Sequence, residues 1–369
     1  MIYLNHGSMG QTLPESVAAM RAWETENGPE VWGSPDGWKK STELEDRLRE
    51  EAARFVGGDP GEIALTGNTS EGVSLVAFAF PWQPGDAVIV TEEEHHSGTL
   101  PWQYFERERG LKVHWVPFPS REAGVEPIAR LLRDDPAIRL VCVSHVSWMT
   151  GAVAELAEVS RLAAPHGVAV LVDGAQAVGQ VLVDVRELGC QFYAFPGHKW
   201  LRGPEGTGGL WIERPWVDKL KLAGIGWASV SACDRKTTYT LHPGARRFEQ
   251  GTASGLQQAG FLAALRQYRS LGPARVLEQI SALRRYAVEK LSALPGCRLA
   301  TCPAPARPSG LLSFFLEGQD PALLATGLWE KHRVVVRSIP GTDRIRISLH
   351  YTNTREDVDR LLAALAGRT

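Results

Sequence analysis

Short apolar runs recur along this chain, and each stops abruptly at a glycine, a proline or a polar cluster. Val168-Ala-Val-Leu-Val172 is the purest and shows no polar alternation, the pattern of a strand covered on both faces in a parallel sheet. Ile63–Thr66, Ala87–Val90, Leu111–Val116, Ile138–Val143, Phe192–Phe195 and Gly209–Ile212 read as further strands. Helical spacing lies between them. Ser41–Val56 sets Leu44, Leu48, Ala52 and Phe55 on one face and Glu and Arg on the other, so it reads as core support. Glu15–Glu26 and Glu155–His166 are also read as helices, with a Gly-, Pro- and Trp-rich loop at Asn27–Trp38 that either lines a pocket or simply connects. Strands alternating with helices predict an α/β fold with a mainly parallel sheet.

The last part of the chain has another order. Helices around Gln257–Tyr268 and Val276–Leu294 precede strands at Gly310–Leu316, Val334–Arg337 and Arg344–Leu349, and a helix at Arg355–Ala366 closes the pattern. That predicts a small α+β module. The expected division is a large unit over residues 1–255 and a small C-terminal one over 256–369.

Composition removes several function classes. A formal net charge of −2 over 369 residues offers no basic field for nucleic acid and no polybasic face for a membrane. The apolar runs are too short to span a bilayer. The opening MIYLNHGSMG lacks the basic start and long apolar core of a secretory signal. Five cysteines with no CxxC pair predict reduced thiols in a cytoplasmic protein. His95 and His96 are adjacent, so their side chains diverge; with no third ligand at suitable spacing, no metal site is expected.

Candidate chemistry gathers at strand ends, where open α/β sheets bind their ligands. Asp173 ends the central strand, and Lys199 follows the Phe192–Phe195 strand. A lysine holds an aldehyde as a Schiff base, and a carboxylate keeps a pyridine nitrogen protonated; pyridoxal phosphate requires both. Taken singly, each has a plain alternative, a surface lysine or a strand-end helix cap. Gly67-Asn68-Thr69-Ser70-Glu71-Gly72 joins a strand to a helix N-terminus, a place that favours a phosphate, although an ordinary capping box has the same letters. Ile345-Arg346-Ile347-Ser348-Leu349 alternates as a half-buried strand and puts Arg346 opposite its apolar neighbours. A guanidinium fork there suits a carboxylate.

These segments resemble, in order, those of the class V aminotransferase family of fold-type I pyridoxal-phosphate enzymes. That family includes cysteine desulfurases, selenocysteine lyases, isopenicillin-N-epimerase-like proteins and kynureninases. The D-G-A-Q at Asp173–Gln176 and the G-H-K at Gly197–Lys199 carry the resemblance most specifically. It implies a fold-type I transferase, with a mainly parallel, seven-stranded-type sheet in the large domain and a small C-terminal α+β domain. It implies Lys199 as the Schiff-base residue, Asp173 on the ring nitrogen, and Gln176 at the ring hydroxyl or imine. His95 would stack on the ring and take part in catalysis, with Thr69, Ser70 and His198 near the phosphate. Arg346 would grip a substrate α-carboxylate, with Arg337 the weaker candidate. Asn5 and His6 would face substrate, unless they form only a solvated turn. The F-E-x-G-T match at Phe248–Thr252 implies a homodimer in which Thr252 binds the phosphate of the neighbouring subunit.

Three departures bear on the reaction. Trp148 stands where desulfurases carry an asparagine beside cofactor and substrate, and Pro196 where many relatives have serine. The stretch Arg337–Arg344 has no thiol, although a desulfurase needs a nucleophilic cysteine there. The expected function is therefore an aminotransferase-type or C–S lyase-type reaction on an amino acid. An epimerase is the alternative, and a desulfurase is disfavoured. A pyridoxal-phosphate-binding protein without catalysis is the reading from another class; Lys199, Asp173, His95 and Arg346 occurring together speak against it.

Overall fold

The computed structural model describes residues 1–28 and 31–367. Its strands are, in chain order, β1 (Ile2–Tyr3), β2 (Ile63–Thr66), β3 (Ala87–Thr91), β4 (Lys112–Val116) and β5 (Ile138–Ser144). There follow β6 (Ala169–Asp173), β7 (Phe192–Pro196), β8 (Gly208–Ile212), β9 (Val230–Cys233) and β10 (Tyr239–Leu241). The C-terminal set is β11 (Cys297–Leu299), β12 (Leu311–Leu316), β13 (Val334–Val335), β14 (Arg337–Ser338) and β15 (Ile345–Ser348). Seven of them form one sheet in the order β2-β8-β7-β6-β5-β3-β4. Only β8 runs against its neighbours, pairing antiparallel with both β2 and β7. The chain order reverses between β3 and β5, and such a switch point opens a crevice at the carboxyl ends of the strands.

The unbroken apolar run of β6 follows from helices on both sides. Val170 and Val172 enter one core with Leu48, Val159 and Phe261. Ala169 and Leu171 enter the other with Val73, Val76 and Trp102. The second sheet, β11-β12-β15-β14, is antiparallel throughout and packs its own core around Leu312, Phe314, Ile345 and Ile347.

Packing redraws the expected boundary in two places. β1 pairs in parallel with β13, Ile2 against Val334, so the first residues join the C-terminal module. The helix Gly255–Leu271, expected in the small unit, lies on the large core because Phe261, Leu262 and Leu265 face it. The helix expected from Ser41 begins at Pro35, and Ser34 Oγ accepts from the Gly37 N–H at 3.1 Å. Serine before proline is a cap-and-first-residue signal, so Trp38 is helical. Of the Asn27–Trp38 stretch, residues 29 and 30 lie outside the described ones. The helices Glu126–Asp134 and Pro321–His332 were not anticipated. The latter has apolar residues all round, with Leu328 buried and Leu323 exposed, and so shows no clean stripe.

Phe261 is fully buried, and its ring lies where a Cβ on Gly197 would sit at 2.8 Å. Phe261→Ala is expected to cost about 3–5 kcal/mol, read as a lower denaturant midpoint.

Candidate functional site

One cavity of about 310 Å³ opens at the carboxyl ends of the parallel strands. It gathers Thr69, Ser70, His95, Trp148, Asp173, Gln176, His198, Lys199 and Arg346 from the expected set. Arg337, the weaker candidate, joins them, with Gly7, Ser8, Asn68, Ser97 and Ser144 in addition.

Asp173 ends β6 and Lys199 follows β7, and the two strands are direct neighbours. A Cβ on Gly174 would collide with the Tyr193 ring, so glycine is needed for the chain to turn away from the strand. The Asp173 carboxylate accepts from the Ala175 N–H at 2.8 Å. Burial raises its pKa, against the opposing pull of Lys199. Burial also pushes the Lys199 amine down from 10.5 to about 8, more than the charge of Asp173 lifts it. Glu94 lies next to this pair. Enclosure and the Asp173 charge push its carboxyl up to about 8, while Ser144 (N–H 2.7 Å, Oγ 2.5 Å) and Thr91 (Oγ1 2.6 Å) bond to it.

At the far wall the helix Thr69–Ala79 starts. Its cap is Asn68, whose Oδ1 accepts from the Glu71 N–H at 2.9 Å. Neither Thr69 nor Ser70 is therefore needed as a cap. Thr69 Oγ1 is buried without a partner, and Ser70 Oγ bonds to Ser97 Oγ at 2.6 Å. His198 Nδ1 is likewise buried and unpartnered, and burial, then Lys199, holds its ring near a pKa of about 4. Hydroxyls and a ring N–H at a helix N-terminus make an anion cradle.

On the side of the small module, β15 is buried on both faces. The expected alternation holds, but the polar face meets the cavity, and Arg346 is 2 % exposed. Its Nη1 donates to the Trp148 carbonyl and its Nη2 to Ser8 Oγ, each at 2.9 Å, while Nε has no partner. Arg337 stands directly across the strand pair from Arg346. Burial, then that neighbouring charge, lowers Arg346 to about 10. Like charges facing across a sheet repel, so two guanidiniums lining one cavity make it favourable for negative charge. The Trp148 indole N–H is also buried without a partner.

Other expected residues fall elsewhere. Asn5 and His6 do not line the cavity; Gly7 and Ser8 from the same turn do. His6 stacks on His350 with ring centroids 4.3 Å apart, and burial, then Arg202, lowers its pKa to about 3. Gln176 lines the cavity, but its Nε2 donates to the Gly7 carbonyl at 2.7 Å and its Oε1 accepts from Trp200 at 2.9 Å. These bonds tie its amide to the N-terminal turn and to Trp200. Thr252 is exposed and outside the cavity. Among the described residues, no three His, Cys, Asp or Glu side chains gather as a metal site, and no helix is long and apolar enough to cross a membrane. Ser97 and Ser144 were missed because serine after a strand is common; the capping asparagine of Gly67-Asn68-Thr69 was the readable signal.

The sequence matches the family profile "Aminotransferase class-V" over residues 2–361. It is 32% identical over 344 residues to a cysteine desulfurase of Salmonella choleraesuis (strain SC-B67), covering 88% of this chain and 82% of that one. Among solved structures it is similar to a lysine-to-alanine mutant of C-DES with glycine covalently linked to the PLP cofactor. The TM-score is 0.91 and the identity 29%, over 99% of this chain and 96% of that one. It is also similar to the cystine C–S lyase C-DES in complex with its reaction product cysteine persulfide, with a TM-score of 0.90, 30% identity and coverage of 99% and 97%. The chain belongs to the class V aminotransferase family of pyridoxal-phosphate-dependent enzymes.

Proposed function

We propose that the chain is a pyridoxal-phosphate-dependent C–S lyase that removes sulfur from the β-carbon of an amino acid, with cystine-like disulfides as substrate. The observation that carries this reading is the placement of the thiols. Cys142 and Cys190 are buried in the cores, Cys233 sits on the β9–β10 hairpin, and Cys297 and Cys302 belong to the small module. None lines the cavity. A sulfur-transferring desulfurase needs a nucleophilic thiol at the substrate; elimination does not. The likeness to a cystine C–S lyase supports the same choice.

The residues fit the cofactor. Thr69, Ser70 and His198 offer donors to a phosphate at a helix N-terminus, with Thr69 Oγ1 and His198 Nδ1 buried and unsatisfied. Asp173 would hold the protonated ring nitrogen, and Lys199 the aldehyde carbon. When bound, pyridoxal phosphate supplies the aldehyde and a ring that takes up the electron pair freed at Cα. Lys199, with a pKa of about 8, is poised to take the Cα proton on Nζ near neutral pH. Arg346 holds the α-carboxylate. The C–S bond then breaks, and the sulfur leaves with the bonding pair.

A disulfide amino acid brings two carboxylates, and the cavity has two guanidiniums. Arg337 suits the distal one. The F-E-x-G-T match at Phe248–Thr252 supports a homodimer in which Thr252, exposed in the single chain, reaches a second copy's cavity.

With cystine, the expected products are pyruvate, ammonia and cysteine persulfide; alanine without pyruvate would favour a desulfurase and sink this reading. Lys199→Ala should lose the cofactor's lysine-linked absorption band and at least about a thousandfold in rate. Arg337→Ala should raise KM for cystine about 10- to 100-fold, the worth of a charge-assisted contact, and leave a substrate with one carboxylate little affected. Because capture of an aldehyde needs the neutral amine, reloading of apo-protein should speed up with pH and level off above about 8. A rate still climbing at the ordinary lysine pKa would contradict the shift.

A further inference from the structure

His95 ends the β3 connection and caps the helix His96–Arg109. The Ser97 backbone N–H points at its Nδ1, 3.3 Å away. A backbone N–H only donates, so Nδ1 must hold the lone pair. Ser97 Oγ stands 3.0 Å from the same nitrogen and continues to Ser70 Oγ at 2.6 Å. In a neutral imidazole whose Nδ1 accepts, the proton sits on Nε2. Among the described residues no group takes up Nε2 in a hydrogen bond, and the ring lines the cavity. The charged groups that share the cavity with the ring are Lys199, Arg346 and Arg337, together with the Asp173 carboxylate, and the three cations act on it most. Burial first, then these charges, holds the ring neutral, with a pKa of about 4, and the positive end of a helix acts the same way.

From this geometry we infer that His95 is locked as the Nε2–H tautomer and serves as a fixed hydrogen-bond donor to the charge that develops on the reacting molecule, while transferring no proton. The inference rests on the cavity being the reaction site and divides the work within it. A neutral Nε2–H ring has no lone pair facing the cavity with which to remove a Cα proton. Donating its only N–H proton outright would leave an imidazolate. The mobile proton therefore belongs to Lys199. A neutral histidine at a helix N-terminus that polarises rather than protonates is an established device in other enzymes. For elimination from a disulfide the arrangement suffices. The departing sulfur keeps the bonding pair as a persulfide anion, and leaving groups of low pKa depart readily without protonation. Ser97 and Ser70 become positioning residues, because they tie the ring to the helix N-terminus that cradles the phosphate.

Two measurements test this. Long-range 1H–15N correlation spectra of the 15N-histidine-labelled holoenzyme, with the His95 signals assigned by their loss in His95→Gln, should show a neutral ring protonated on Nε2 from pH 6 to pH 8 (roughly, the range in which an ordinary histidine titrates). A ring protonated on Nδ1, or an imidazolium in that range, overturns the inference. The second is kinetic. Glutamine retains an N–H donor but cannot act as a base at these pH values. His95→Gln should keep kcat within about tenfold of wild type with an unchanged pH profile, and His95→Ala should fall about 100- to 1000-fold, the cost of losing one preorganised donor. Equal loss in both variants overturns the donor role. Failure of the lyase reading would appear separately, as absence of pyruvate, and would leave the tautomer result standing.

Discussion

A lysine amine, a carboxylate and a guanidinium share one cavity, in which Asp173 and Arg346 are buried, and the surrounding architecture serves to keep them there. In a medium of low dielectric, charges act strongly on one another and are costly to leave uncompensated. Asp173 and Lys199 compensate each other across adjacent strand ends. Arg346 lacks that help, because its hydrogen bonds go to a carbonyl and a hydroxyl. It is held instead by β15, itself flanked by β12 and β14. The β-strands thus supply the stiffness that an unpaired buried cation requires, and that cation is what an incoming carboxylate would relieve.

Several other ionisable groups around the cavity are kept uncharged. Burial lowers His95 and His198 below their usual range, and raises Glu94 well above that of a carboxylic acid. Two more histidines behind the cavity walls, His6 and His145, are also pushed down to about 3. The field at the reacting atoms is therefore set by few formal charges, and by dipoles whose directions the backbone fixes. Such preorganisation costs no rearrangement when charge moves during the reaction.

Much of this was legible because parallel sheets write themselves plainly. A strand buried on both faces must be apolar throughout, so its end is marked by the first polar residue, and for β6 that residue is Asp173. The same logic located Lys199, and the glycine-rich stretch between β2 and its helix located Thr69 and Ser70. Legibility failed where a residue's role depends on what packs against it from far along the chain. Asn5 and His6 sit in the right turn, but which of its side chains face inward depends on pairing with Val335 and Ser348. Their places in the cavity are taken by Gly7 and Ser8. The depth of Arg346 was misjudged for a related reason. Alternation shows that a strand has two unlike faces, but it does not say that the polar face meets a cavity rather than open solvent.

The hydrogen bond from Arg346 to Ser8 spans 338 positions of the chain, and β1 is held by β13. Contacts this distant in sequence form late, because a long loop must close before they yield any stabilisation. During synthesis the large sheet, with Asp173 and Lys199 in place, can form while the C-terminal module is still missing. On the proposed reading, a nascent chain would thus have the groups for its cofactor before it had the wall that orients an amino acid. The proposed carboxylate grip would arrive last, so a chain cut short would have Lys199 without the means of choosing what it reacts with.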